Sequence, residues 1–273
     1  MPDHVVVVIG VGGMGEAIAR RQGIGRRLLI ADVDDTTTGT VAAALTADGY
    51  EVVGAHVDVT PRESVRALAQ TAAAAGSVVQ MIHTAGLSPV QASAEAILRV
   101  DLYGTAVVLA EFGDVIAEHG AGVVIASMAG RLAQLSPDHE SALATTDVDE
   151  ILGLPFLAPD VLADPAQTYM VSKRANVLRV AAESMRWGRR RARLNTISPG
   201  AISTPMGRQE LNGTTGEGLR ALIAASGTGR IGTSADIAAA AGFLLGPDAS
   251  FITGTDLLVD GGASAALSMS DNG

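Results

Sequence analysis

The sequence predicts one α/β domain, a doubly wound parallel sheet with helices on both faces, and three observations carry that expectation. Short, continuously apolar runs rich in β-branched residues, such as His4–Ile9, suit strands buried on both faces. These runs alternate with helix-length segments across short links, as repeated β-α units do. A glycine-rich turn, residues 10–15, joins the first such run to the first helical stretch. A chain of 273 residues is within the range of a single unit of this kind, so residues 1–273 are expected to form one domain.

In order, His4-Val-Val-Val-Val-Ile9 reads as the first strand and residues 16–21 as the first helix. Between them Gly10, Gly12 and Gly15 fit G-x-G-x-x-G, placed as a Rossmann-type fingerprint requires. Such glycines allow a tight turn, close approach of backbone to pyrophosphate, and tight helix–strand packing. Phosphate then sits on the free N–H groups at the helix start, so Gly13 and Met14 belong to the same candidate cofactor site. The second strand, residues 27–31, ends at Asp32 and Val33, about 20 residues on. A carboxylate there accepts hydrogen bonds from both adenosine ribose hydroxyls and repels a 2′-phosphate. With no Lys or Arg in residues 10–15, NAD is expected rather than NADP. The other reading of Asp32 is a loop aspartate capping the next helix, a role Asp34 or Asp35 fills equally well.

Residues 37–48 read as helix, 51–57 as extended, 61–75 as helix with Pro61 in its first turn, and 78–82 as strand. One long helical region is expected over 92–119 and another strand over 122–126. Ligands of a doubly wound sheet bind at the carboxyl ends of its strands. Those ends carry Gly10, Asp32, Asp58, Thr84-Ala85-Gly86 and Ser127, far apart in sequence yet expected in one crevice.

Past the middle of the chain, Tyr169-Met-Val-Ser-Lys173 lies at the opening of a helical pattern that runs to about Trp187. Residues four apart share a helix face, so the phenol and the ammonium are expected to point the same way. The cation then favours the phenolate and draws the Tyr169 pKa down from about 10 toward neutrality.

With these residues in place the chain resembles the short-chain dehydrogenase/reductase family in its short single-domain form, over nearly its whole length. Val57-Asp58-Val59 is similar to the family's adenine-contacting segment. His83-Thr-Ala-Gly86 stands where the family usually has Asn-Asn-Ala-Gly. Ile125-Ala-Ser127 matches the strand end with the catalytic serine. Asn195-Thr-Ile-Ser-Pro199-Gly200, with Ile202 and Thr204 after it, resembles the turn that closes over nicotinamide. Residues 229–232 and 251–262 match the C-terminal region. The resemblance implies that Ser127 stabilises the substrate oxygen, that Tyr169 exchanges its proton, and that Lys173 tunes Tyr169 and bonds the nicotinamide ribose.

Three departures stand out. Counted from Gly10 in the family's spacing, Met14 and Glu16 fall at the later glycine positions. Asp101 replaces an Asn whose family role is to hold a water of the proton relay, so it is expected either in that relay or bonded to helix backbone. Ser127 and Tyr169 are separated by residues 131–168, an insertion relative to the family. It is expected near the pocket rim, as a pocket wall in preference to an outward excursion for oligomer contacts, with His139 at the surface. Residues 203–229 follow the nicotinamide turn and are expected to form a substrate lid, Met206, Leu211, Leu219 and Leu222 hinting at an apolar substrate.

The expected activity is NAD-dependent interconversion of a secondary alcohol and a ketone, with hydroxysteroid-like or other alicyclic substrates in view. The alternatives are a ketoacyl-thioester-type reductase, disfavoured by Asp32, and a catalytically silent NAD-sensing binding protein, disfavoured by the intact Ser127, Tyr169 and Lys173. A formal net charge of -10, from 19 basic and 29 acidic residues, argues against a nucleic-acid partner. No cysteine is present, which excludes thiolate chemistry, and no spacing suggests a metal site. Residues 5–9 are too short for a membrane helix, so a cytoplasmic protein is expected. The family resemblance implies a homotetramer or homodimer, with the helices around 92–119 and 169–187 in one interface.

Overall fold

A computed structural model describes residues 4–213 and 216–270. Among these, seven strands form one parallel sheet in the order β3-β2-β1-β4-β5-β6-β7: β1 His4–Ile9, β2 Arg27–Asp32, β3 Glu51–His56, β4 Ser77–His83, β5 Ile116–Ile125, β6 Arg193–Pro199 and β7 Asp256–Val259. The helices between them are α1 Gly13–Gln22, α2 Asp35–Ala47, α3 Arg62–Ala75, α4 Ala94–Ile97, α5 Thr105–Val115, α6 Pro137–Thr145, α7 Pro165–Gly188, α8 Pro205–Asn212, α9 Gly216–Ala225, α10 Ser234–Leu245 and α11 Ala263–Ser270. Successive strand side chains point to opposite faces, and β1 shows what that achieves. Val5, Val7 and Ile9 pack with α3 and α5 in one core, while Val6 and Val8 pack with α1 and α10 in the other. Strand order turns back between β1 and β4, which opens the crevice at their carboxyl ends.

The strands fall where apolar runs predict them, but the long helix does not. Instead of one helix over 92–119, α4 leads into a π-helical turn, Leu98–Gly104, and then α5, which stops at Val115. Residues 116–119 begin β5, where the register against β4 slips between Val78 and Gln80 and His119 adopts φ 62°. Apolar residues continue across both boundaries, so periodicity alone does not reveal them. Pro61 is the N-cap of α3, one position before the first helical residue.

The insertion folds as α6 and two 3₁₀ turns, Val148–Gly153 and Pro155–Leu157. Its Leu143, Ile151, Leu157 and Leu162 form a third core with Leu102, Val171 and Ala175. It therefore covers the outer face of α7 and the π turn. Only Leu132 and Ala166, near its two ends, reach the apolar cavity described below. His139 is partly buried and stacks on Phe156 within the insertion, ring centroids 4.0 Å apart. The expected lid comprises α8 and α9; residues 214–215 lie outside the described residues. No described helix is long and apolar enough to cross a membrane.

Candidate active site

A cleft of about 510 Å³ runs along the carboxyl ends of β1–β4 and includes Gly10, Gly12, Asp32, Asp58 and Thr84 in its walls. Gly10 has φ +88° and lies so close to Thr84 and Ala85 that a side chain has no room. Gly15 packs directly against the Gly10 carbonyl, and a side chain on Gly12 would meet nothing within 4 Å. Those are the three roles expected of the fingerprint. Met14 and Glu16, at the family's later glycine positions, leave the turn intact: α1 begins at Gly13, Gly15 makes the close approach, and Glu16 bonds Arg20 at 2.9 Å. No side chain caps α1, so its first-turn N–H groups remain available for an anion.

Asp32 ends β2 on the cleft wall, where its Oδ2 accepts from Val11 N–H at 2.8 Å and its Oδ1 from Asp34 N–H at 3.1 Å. Capping of α2 falls to Asp34, which accepts from Thr36 N–H at 2.9 Å. Exposed Val33 flanks Asp32 on the same wall. Asp58 Oδ1 accepts from both Thr60 N–H and Oγ1 at 2.8 Å, which holds its carboxylate beside Val59. Ala85 and Gly86 complete the wall next to β4.

The second cavity, about 490 Å³, is mostly apolar and shares Met14, Thr204 and Met206 with the cleft, so the two are continuous. Ser127 and Tyr169 stand on its wall, as do Pro199, Gly200 and Ile202 from the end of β6. Ser127 follows β5 and caps a 3₁₀ turn, Met128–Leu132, accepting from Ala129 N–H at 3.2 Å. Its own proton is free for donation, and toward Tyr169 that hydrogen bond favours the phenolate.

Lys173 lies one helical turn beyond Tyr169, with Nζ 5.4 Å from the Tyr169 ring centre. Its ammonium is 3.0 Å from Asp101 Oδ2, and both groups are almost wholly removed from solvent. Asp101 Oδ1 accepts from Leu87 N–H at 2.7 Å. The π turn brings Asp101 to this position, and a side chain at Gly86 would crowd both members of the pair. Burial penalises the ammonium, yet Asp101 and then Tyr169 hold the Lys173 pKa above its ordinary value. Burial likewise lifts Asp101, against the pull of Lys173 and the Leu87 N–H.

The expected lowering of the Tyr169 pKa is not what this arrangement produces. Burial raises the phenol, Lys173 pulls it down, and Asp101 pushes it up again, leaving it above its ordinary value. Part of the Lys173 field falls on Asp101, a neighbour that sequence spacing could not pair with it.

Met206, Leu219 and Leu222 line the apolar cavity as expected of lid residues, whereas Leu211 does not. Leu267 of α11 and Glu210 of α8 also line it, and neither was singled out by a motif. A helical spacing from Met206 to Glu210 was the one available signal for the latter.

Two family models match the chain. One, described as short chain dehydrogenase, covers residues 4–137; the other, described as Enoyl-(Acyl carrier protein) reductase, covers 139–264. The short-chain dehydrogenase/reductase bsc3 of Alternaria brassicicola is 44% identical over 270 residues, spanning 98% of each chain. D-threitol dehydrogenase of Mycolicibacterium smegmatis is 30% identical over 272 residues, 96% of this chain and 93% of that one. A blue fluorescent protein from a metagenomic library, solved in complex with NADPH, superposes with a TM-score of 0.75 at 21% identity, over 96% of this chain and 98% of that one. At that identity the likeness is one of fold. Fold, glycine turn and the Ser127, Tyr169 and Lys173 arrangement agree with these matches: the chain belongs to the short-chain dehydrogenase/reductase family.

Proposed function

We propose that the protein is an NAD-dependent oxidoreductase that interconverts a secondary alcohol and a ketone on an alicyclic, largely apolar frame. The observation that carries this is the placement of the Ser127 and Tyr169 hydroxyls together on an apolar wall that opens into the glycine-turn cleft. That cleft fits a dinucleotide. Gly12 leaves room for close approach, the uncapped start of α1 offers N–H groups, and Asp32 offers a carboxylate at the far end. Asp32, Asp34 and Asp35 are consecutive acids around that end but for Val33, which disfavours a 2′-phosphate and supports NAD. When bound, the nicotinamide accepts hydride from the alcohol carbon or delivers it to the carbonyl carbon.

The chain's own residues handle the oxygen and its proton. Ser127 donates a hydrogen bond to the substrate oxygen and stabilises charge that develops there. In reduction the Tyr169 hydroxyl gives its proton to that oxygen; in oxidation the phenolate removes it. A phenol held above its ordinary pKa carries the proton that the reductive direction uses. Lys173 stabilises the phenolate that reduction leaves behind, and Asp101 keeps Lys173 charged and in place. The D-threitol dehydrogenase relative, by its name, oxidises a hydroxyl-bearing substrate, in keeping with this assignment.

The test is turnover of a panel of cyclic secondary alcohols and ketones with NAD(H) and with NADP(H), followed by absorbance of the reduced nicotinamide. The expected result is turnover with NAD(H). Turnover only with NADP(H) overturns the role of Asp32. Tight NAD binding with no turnover of any substrate favours a cofactor-sensing protein instead.

A further inference from the structure

The apolar cavity holds a carboxylate that hydride transfer does not need. Glu210, on α8, lines the cavity together with Ser127 and Tyr169, and no Lys or Arg lines it among the described residues. Ser127 and Tyr169 attend to the reacting oxygen. Thr204, another polar residue of the wall, caps α8, its Oγ1 accepting from Gly207 N–H at 3.0 Å, so it offers a substrate a donor rather than a carboxylate acceptor. Glu210 is instead anchored from behind by Ser88, which is fully buried. Ser88 Oγ accepts from Val90 N–H at 3.3 Å, which leaves its proton for donation, and toward the Glu210 carboxylate that hydrogen bond favours the charged form. A carboxylate accepts several hydrogen bonds, so Glu210, partly buried on the cavity wall, can accept another beside that from Ser88. Burial holds the Glu210 carboxyl above its ordinary value despite Ser88. Glu210 is also near enough for its charge to raise the Tyr169 phenol.

We propose that Glu210 is a specificity-determining residue that accepts a hydrogen bond from a second hydroxyl of the substrate, remote from the reacting carbon. The preferred substrates are then hydroxy-ketones, or the corresponding diols, whose two polar ends are separated by an apolar ring frame. This deepens the alcohol–ketone reading above and rests on it. Ser88 orients the carboxylate, and the lid position of Glu210 makes substrate binding a tie between lid and catalytic floor. A site built to accept from a hydroxyl discriminates strongly against an analogue that lacks one, because its own polar group is left unpaired.

The experiment compares kcat/KM for matched ketones carrying either a hydroxyl or a methyl group remote from the carbonyl, on one-ring, two-ring and four-ring frames. It is run on the parent chain and on Glu210→Leu and Glu210→Gln. On at least one frame the parent is expected to prefer the hydroxy-ketone by roughly tenfold or more. Glu210→Leu is expected to abolish or reverse that preference, chiefly through KM. Glu210→Gln, which keeps an acceptor oxygen, is expected to retain part of it. Turnover of methyl ketones with no hydroxyl preference on any frame, or a preference that survives Glu210→Leu, overturns the assignment while leaving the oxidoreductase reading intact. Failure of every ketone with both reduced cofactors overturns that reading, and the role of Glu210 with it.

Discussion

At the scale of single residues, Asp101 alters the acid–base balance more than any other departure from the family pattern. Its carboxylate neutralises part of the Lys173 field and itself opposes ionisation of Tyr169. Replacing it by Asn removes both effects, so the Tyr169 pKa falls. The rise of alcohol-oxidation kcat with pH, which requires phenolate, is expected to move to lower pH in Asp101→Asn. An unmoved profile counts against any coupling of Asp101 to Tyr169. A second buried group makes a stability prediction. His83 Nε2 lies 3.1 Å from Thr105 Oγ1, whose proton is already donated to the Asp101 carbonyl at 2.7 Å, so Nε2 carries the imidazole proton. Burial, assisted by Lys173, depresses the His83 pKa from 6.5 to about 3. Between those values the unfolded chain binds a proton that the folded chain refuses, so stability falls as pH drops from about 6.5 toward about 3. The loss from this residue approaches about 1.4 kcal/mol per pH unit in that window. Urea-unfolding midpoints of His83→Asn, measured against pH, should fall less steeply on the acid side than those of the parent; parallel curves reject the assignment.

At the scale of elements, the insertion serves α7 from behind. The sequence placed residues 131–168 between the catalytic serine and tyrosine and left pocket wall or outward excursion as its role. Its apolar side chains form a core on the face of α7 away from Tyr169 and Lys173, anchored by Leu143, Ile151 and Leu157, while Arg131, Ala133 and Glu140 line a cavity of about 360 Å³ together with Ser127. Arg174 adds an ion pair to Glu140 of α6 at 2.7 Å. Because Val171 and Ala175 belong to this core and Tyr169 and Lys173 to the same helical turns, the insertion braces the helix that carries Tyr169 and Lys173. Ile151→Ala leaves a cavity in a fully buried position and is expected to cost about 2–5 kcal/mol in unfolding free energy. Well below the unfolding midpoint, kcat should stay close to that of the parent. A loss of kcat without a loss of stability would place Ile151 in the chemistry rather than behind it.

At the scale of the whole molecule, the doubly wound sheet gathers residues from six strand ends into two joined cavities. The same scale bears on assembly. The family expectation puts the helices around 92–119 and 169–187 in a subunit interface, yet Leu102, Val171 and Ala175 are covered by the chain's own insertion. On α5, residues 105–113 are all buried within one chain, and Glu111 is tied by Arg62 at 2.7 Å and Arg66 at 3.1 Å. Part of those surfaces is thus packed within the chain, while Met185 on α7 stays exposed.

The strands, the glycine turn, Asp32 and the Tyr169-to-Lys173 spacing were legible in the sequence, because each is a local pattern: β-branched runs, a turn that admits only glycine, and residues one helical turn apart. Other features were not, and for a common reason. The Asp101–Lys173 pair joins positions 72 residues apart through a π turn that periodicity passes over. The Ser88–Glu210 contact and the seating of the insertion on α7 likewise depend on which surfaces meet. Local pattern determined the fold and the identity of the candidate catalytic groups. Burial and charge pairing, which exist only once the chain is packed, decided the direction in which Tyr169 is tuned and what stands across the cavity from it.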